Sequence, residues 1–156
     1  MLEFPTPDGI KSWPKLPAIA DWHQDQESSL RLGANSLIPD GVDPATAEAA
    51  IQARGFSRRG AVTGLSQMME SDRASAPAGT QVQPLADVAD KDGTPFKLYA
   101  FVPASGSGGS WKAVAYSEEG DYLLAFTLSA RSRAAYESNM PVFVGLIQKY
   151  AKDIPW

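Results

Sequence analysis

The chain has 156 residues, of which 44% are hydrophobic and 21% charged, and its net charge is -4. This length predicts one domain that buries roughly 70% of its unfolded surface, and the mildly acidic balance argues against a nucleic-acid partner. The chain contains no cysteine and one histidine, His23, which excludes disulfides, a cysteine nucleophile and a multi-histidine metal site within the chain. No apolar run reaches about 18 residues, so no transmembrane segment is predicted.

Prolines dominate the beginning of the chain. Four of them within residues 1–21 predict an extended, surface-laid arm, pinned by Trp13 and Trp22, before a single domain over residues 22–156. The stretch MLEFPTPDGIKSWPKLP lacks the basic start and apolar core of a signal peptide. We expect a mature form from which an export signal has been removed.

Two strands are predicted next. The alternation of Leu30, Leu32 and Ala34 predicts a strand over residues 28–38, and PDGVDP predicts a turn after it. The stretch ATAEAAIQARGF suits a helix through its alanines or a strand through its later residues. We favour a strand over residues 49–56.

A helix and a hairpin follow. Leu65 and Met68 recur at helical spacing and predict a helix over residues 63–75, capped by Thr63 or Ser66. QVQPLADVA and PFKLYAFVPA are predicted strands, joined by a turn whose Asp-Gly pair is typical of hairpins. The glycines of SGSGGSWK resemble a phosphate-binding loop, but the Gly-Lys-Ser/Thr ending is missing, so a hairpin loop is favoured.

The stretch YSEEGDYLLAFTLSARS suggests either an active site or a structural element. Both faces of the predicted strand YLLAFTL are apolar, which indicates a strand covered on both sides. Glu119 and Arg131 would stand at opposite ends of it, roughly 35–40 Å apart. A solvated turn is therefore favoured over an acid/base pair for Glu118 and Glu119, since catalytic carboxylates need burial or enforced proximity.

The last predicted helix carries an apolar stripe that would cover one face of the sheet. Pro141 predicts a kink, or a restart capped near Asn139. The elements together predict an α+β fold, an antiparallel sheet covered by helices on both faces. The stripe consists of Tyr136, Met140, Phe143, Ile147 and Tyr150.

Three aspartates near a glycine suggest a calcium-binding loop. Asp87, Asp90 and Asp92 precede Gly93, but Tyr99 stands where an EF-hand needs its bidentate glutamate. A hairpin turn is favoured, and we expect neither a metal nor a cofactor.

The arginines are the strongest candidates for a binding site. One group lies in ARGFSRRG, and the other flanks the start of the last helix, where the helix dipole disfavours cations. The arginines suggest either a site for an anion or an acidic partner, or two solvated loops. The solvated loops are favoured because charge runs usually face water. The candidate binding residues are Arg54, Arg58, Arg59, Arg131, Arg133 and Trp111.

The run GSWKAVAYSEEGDYLLAFTLSARSRAAYESNMPVFVGLIQKY resembles small bacterial exported or lipid-anchored proteins of unknown function with the PsbP-like fold. That group includes the PsbP subunit of photosystem II, the Ran-binding Mog family and some type VI secretion immunity proteins. The resemblance is strongest over residues 110–151. It implies an antiparallel sheet between helices, docking on other proteins without catalysis, and a periplasmic or exported location.

The function expected from the sequence is a non-catalytic, protein-binding domain of the bacterial cell envelope. Its most specific form is a type VI secretion immunity protein that binds a secreted toxin. Two alternatives stay open: a small-ligand carrier with a cleft lined by Tyr99, Phe101 and Trp111, and a hydrolase using His23. The oligomeric state is not predicted.

Overall fold

The computed structural model describes residues 2–6, 9–59 and 64–152, with side chains described from Trp13 onward. The helices in this part of the chain are α1 (Gln26–Leu32), α2 (Leu65–Ser75) and α3 (Arg133–Lys149). The strands are β1 (Leu2–Thr6), β2 (Gly9–Trp13), β3 (Trp22–Gln24), β4 (Asn35–Pro39), β5 (Ala49–Ser57), β6 (Gln81–Pro84), β7 (Val88–Ala89), β8 (Pro95–Val102), β9 (Trp111–Glu119) and β10 (Tyr122–Ala130).

The strands form a large antiparallel sheet in the order β1-β2-β5-β10-β9-β8-β6, with β4 also on β5, β3 on β4 and β7 on β8. The fold is therefore α+β, as the sequence predicts. The predicted strand over residues 49–56 is confirmed as β5. The acidic-glycine turn is confirmed too, because Glu119 of β9 pairs directly with Tyr122 of β10.

β10 lies at the centre of the sheet and is apolar on both faces. Its buried even-numbered residues belong to a first core cluster, and the odd-numbered Leu123 and Ala125 belong to a second, because successive strand residues point to opposite faces. Leu124, Phe126 and Leu128 lie in the first cluster, whereas Leu123 and Ala125 lie in the second. The prediction of a strand buried from both sides is confirmed.

Helix α3 packs on the first cluster. Phe143, Ile147 and Tyr150 of its predicted stripe are buried there, and Tyr136 and Met140 pack partly against it. The helix begins after Ser132, whose hydroxyl accepts the N–H of Ala135 at 3.1 Å. The predicted restart near Asn139 is wrong: the helix runs continuously through Pro141, and the Asn139 amide donates to the carbonyl of Ala135 instead.

The ring of Tyr150 closes the first cluster at the end of α3. It packs edge-on against Phe126 at a centroid distance of 5.0 Å, and its hydroxyl donates to Glu119 Oε2 at 2.5 Å. Burial and this bond to a carboxylate raise the pKa of Tyr150 above its usual range. The end of the last helix is thus held to the β9–β10 turn.

Helix α2 packs on the second cluster through Met68, with Leu65 and Met69 beside it. The predicted helix over residues 63–75 is confirmed from Leu65 onward. Its N-cap is Gly64 and no side chain caps it, so Ser66 does not have the predicted role; Thr63 lies outside the described residues.

The predicted strand over residues 28–38 is wrong in its first half, which is helix α1. Asp25 accepts the N–H of Ser28 as an N-cap, and Gly33 ends the helix in the left-handed region at φ 65°. Hydrogen bonding to the Ser28 side chain and then to its N–H lowers the pKa of the Asp25 carboxyl. The alternation of Leu30 and Leu32 was misleading because both side chains are exposed. Only the second half forms a strand, β4.

The stretch predicted as an extended arm, residues 1–21, contains β1 and β2, and β2 pairs with β5. Trp13 is buried, and the carbonyl of Pro14 accepts a hydrogen bond of 3.0 Å from the buried Asn35 amide. Side-chain bonds therefore hold this stretch to β4.

The Asp-Gly turn between β7 and β8 is confirmed. Gly93 has φ 83°, and the Asp90 carboxylate accepts the backbone N–H groups of Asp92 and Thr94 at 2.9 Å. Within the described ranges, no three potential metal ligands lie together, and none of the helices is long and apolar enough to cross a bilayer.

Candidate binding site

A cleft of about 460 Å³ opens beside the second core cluster, between the carboxyl end of α2 and the loop over residues 103–110. Its floor is the middle of the sheet, and its walls come from α2, the α2–β6 turn, the loop and the end of α1. Its volume lies within the range of about 300–1,000 Å³ typical of small-molecule sites. The floor residues are Gln52, Arg54, Phe101, Lys112, Val114 and Thr127.

Polar residues occupy the floor where a sheet interior would usually be apolar. Gln52 of β5 pairs with Thr127 of β10, which pairs with Val114 of β9, so the three stand in one row across the sheet. Both neighbours of Thr127 in sequence, Phe126 and Leu128, are fully buried in the first cluster. In the part of the chain that the structure describes, the Gln52 amide and the Thr127 hydroxyl have no hydrogen-bond partner.

The α2 end of the cleft is an internally satisfied network. Arg54 donates to Asp72 Oδ2 at 2.5 Å, and the buried Tyr116 hydroxyl donates to the same oxygen at 2.6 Å. Burial, followed by the hydrogen bond to Asp72, raises the pKa of Tyr116 above its usual range. The Asp72 carboxylate of α2 therefore accepts from both groups and holds the helix to two strands, β5 and β9.

The opposite end of the cleft is formed by Lys112. Its backbone stands across from Ser129 on β10 and from Phe101 on β8. Four residues along β9 separate it from Tyr116, a distance of about 13 Å in an extended strand. No ion pair of Lys112 is found among the described residues.

The loop that walls this end is held by a close contact. Gly79, in the α2–β6 turn, has φ 83°, and a Cβ built on it would lie 2.8 Å from Cβ of Ala104. Glycine is thus required at this position for both its conformation and its size. The turn and the loop form one continuous wall.

Exposed leucines lie on the helix that contributes the remaining rim. Leu32 lines the cleft and is 45% exposed, and Leu30, on the same helix, is 64% exposed. Leu32 therefore adds an exposed apolar side chain to the rim of the cleft.

The sequence-predicted arginines lie at two separate ends of the sheet. Arg54 lies in the cleft, Arg58 pairs with Glu118 at 2.5 Å, and Arg59 donates to the Ser57 hydroxyl. The structure therefore brings only Arg54, of these three, to the cleft.

The other two arginines lie near the start of α3. Arg131 donates to the carbonyl of Ala45, whereas Arg133 pairs with Glu137 at 2.9 Å and lies 5.8 Å from the ring of Trp111. Arg133 and Trp111 line a second concavity, on the other side of residues 103–105. The candidate residues do not form one site.

The predicted separation of acids and arginines is confirmed. Glu119 pairs with Tyr122, nine residues before Arg131, which corresponds to about 30 Å of strand. The sequence estimate was larger because it counted the turn as extended chain. Glu118 instead has Arg58 beside it, at the exit of β5.

The remaining predicted groups lie away from the cleft or line it only in part. Of the three aromatic residues predicted for a carrier, Phe101 lines the cleft, whereas Tyr99 packs in the second cluster and Trp111 lines the second concavity. His23 Nδ1 lies 2.7 Å from Asp40 Oδ1, and the pair is exposed.

Sequence reasoning missed Gln52, Thr127 and Lys112. A signal for them exists: each is a polar residue with a small or apolar residue on either side of it in sequence. Only the register, Gln52 against Thr127 and Lys112 against Ser129, shows that they share one face. That register connects strands far apart in sequence.

No family model and no curated protein matches the chain. A solved structure to which it is similar is the solution structure of cyanobacterial PsbP (CyanoP) from Synechocystis sp. PCC 6803. The identity is 14%, the TM-score is 0.45, and the match covers 83% of this chain and 91% of that one.

Proposed function

We propose that this protein is a non-catalytic binding domain of the bacterial cell envelope whose cleft receives a segment of a partner protein. The observation that carries the proposal is the cleft floor, where Gln52, Thr127 and Lys112 offer polar groups that no other described residue uses. Exposed Leu32 continues this surface onto α1. A polar floor with an apolar rim suits a peptide segment, which has both backbone amides and side chains to place.

The groups that line the cleft support binding rather than catalysis. A general base needs a free, suitably tuned group, but Asp72 already accepts from Arg54 and Tyr116. A hydrolase using His23 stays a weaker prediction, since His23 lies outside the cleft lining. A hydrolytic activity that survives His23→Ala would contradict this prediction.

Two parts of the proposal depend on the resemblance of residues 110–151. One is the envelope location, which an export signal in the full-length gene would support. The other is the narrower role of an immunity protein, which a toxin gene beside this one would support. The scaffold we assume for both is a sheet covered by α3 on one face and by α2 on the other.

The test is affinity capture from an envelope extract of the native organism, followed by mass spectrometry, with three baits. These are the wild type, Leu32→Glu in the cleft rim, and Val42→Glu, a matched control at another exposed apolar residue outside the cleft lining. We expect a protein that the wild type and Val42→Glu retain and that Leu32→Glu retains at least about ten-fold less. A partner retained equally by all three baits would contradict the proposal.

The cleft volume favours one second candidate, a small-ligand carrier. Native mass spectrometry of protein purified from its own organism would then show a bound molecule. Thr127→Phe, which fills the floor, would abolish binding of this molecule. Removal of the molecule from the wild type would lower the melting temperature. A wild type that carries no additional mass would contradict this candidate.

A further inference from the structure

The charges that line the cleft do not cancel. Arg54, Lys112 and Asp72 are the ionised side chains of its lining. Asp72 is paired with Arg54 at 2.5 Å, which leaves Lys112 as an uncompensated positive charge among the described residues of the cleft. The protein as a whole is negative, at -4, so this site differs in sign from its surroundings.

The paired and unpaired charges lie at opposite ends of the floor. The row that contains Arg54, Ala125 and Tyr116 marks the α2 end, and the row that contains Ser129 and Lys112 marks the loop end. Because about 13 Å of strand separates the two rows, Asp72 does not neutralise Lys112 by direct contact. An anion that enters at the loop end meets the ammonium first.

The groups between the two ends suit a peptide. Gln52 and Thr127 stand one row from Lys112, about 7 Å along the strands, which is the repeat between residues i and i+2 on one side of an extended segment. Val114 adds apolar floor within this row, Phe101 adds it in the row of Lys112, and Leu32 adds an apolar rim. The floor therefore offers a cation, amide and hydroxyl groups, and apolar contacts within neighbouring rows.

We infer that the segment received by the cleft is acidic and flanked by apolar residues, with an Asp or Glu carboxylate paired to Lys112. This inference rests on the proposed function and specifies its partner. Gln52 and Thr127 bind the backbone of the segment, and Phe101 and Leu32 contact its apolar side chains. The recognition group is thus Lys112 rather than the arginine clusters, whose members already have partners within the chain.

The first experiment uses a peptide probe of defined sequence, acetyl-Gly-Leu-Glu-Leu-Gly-amide, and its Gln and Lys analogues. Binding to the isotope-labelled protein is followed by NMR titration. We expect the Glu peptide to shift the amide signals of residues 110–114 and 127, and to bind about five-fold more tightly than the Gln peptide. Lys112→Gln removes that preference, Lys112→Arg keeps it, and Lys97→Gln, an exposed lysine on β8 outside the cleft lining, leaves it unchanged.

Equal binding of the Glu and Gln peptides, a preference that survives Lys112→Gln, or no binding of the Glu peptide at its solubility limit would each overturn the inference. The same lysine variants used as capture baits separate it from the proposed function. A partner lost with Leu32→Glu but kept by Lys112→Gln leaves the function intact and the inference wrong. A Lys112-dependent peptide preference without any captured partner supports the inferred charge of the ligand and contradicts the proposed function.

Discussion

The two faces of β10 are packed differently, although they share one backbone. On one side, Phe126 packs at 5.0 Å from Phe96 and at 5.0 Å from Tyr150, in a core that α3 covers. On the other side, its neighbour Thr127 lies on the floor of an open cleft. The comparison teaches that one strand can pack a full set of residues on one face, whereas on its other face it buries Leu123 and Ala125 and leaves Thr127 at an open cleft.

The largest effect is expected from a substitution on the packed face of β10. Phe126→Ala removes a fully buried ring and leaves a cavity between β10 and α3, and we expect it to lower the free energy of unfolding by about 3–5 kcal/mol. Urea denaturation followed by circular dichroism measures the change. A loss below about 1 kcal/mol would contradict the assignment of Phe126 to the core.

The network between the two regions comes next. Asp72→Ala leaves the Tyr116 hydroxyl and the Arg54 guanidinium without their shared acceptor, and we expect a loss of about 1–3 kcal/mol in the free energy of unfolding. Asp72→Asn, which keeps an acceptor oxygen, serves as the matched variant and loses less. Equal losses in the two variants would show that the shared oxygen is not what stabilises this end of the cleft.

Alkaline pH weakens the same network. The pKa of Tyr116 is raised in the folded protein, so its contribution to stability is complete below the ordinary tyrosine pKa of about 10 and is lost as the pH rises above it. We expect the wild type to lose about 1 kcal/mol more than Tyr116→Phe between pH 9 and pH 11. Denaturation midpoints at both pH values measure this, and parallel losses would contradict it. Tyr150 titrates in the same direction in both proteins.

The smallest effects are expected from substitutions in the cleft floor, on the other face of the sheet. Thr127→Val and Gln52→Ala alter the cleft floor, where neither side chain has a described partner, and we expect each to change the free energy of unfolding by less than about 0.5 kcal/mol. The same denaturation assay applies. A loss comparable with that of Phe126→Ala would show that the floor is part of the core and not a free surface.

Much of the fold was predictable because its signals are local. The apolar run of β10, the Asp-Gly turn and the stripe of α3 each depend on neighbouring residues, and the structure confirms them. The strand predicted over residues 28–38 failed because the Asp25 cap outweighed an alternation of only three residues.

The site was less predictable than the fold. Gln52, Thr127 and Lys112 come from three strands, and their meeting depends on pairing between residues up to 75 positions apart, as in Gln52 and Thr127. Charge clustering, which drew attention to Arg58 and Arg131, indicates solvated surface as readily as a site. Both arginines turned out to have partners within the chain.

The outer strands of the sheet carry a further consequence. β1 and β6 stand at the two ends of the strand order, and each includes a proline, Pro5 in one and Pro84 in the other. A proline removes a backbone donor from the ladder that an incoming strand from another copy would need. Each of these two outer strands therefore offers one backbone donor fewer to an incoming strand, a feature typical of sheet edges that resist edge-to-edge pairing.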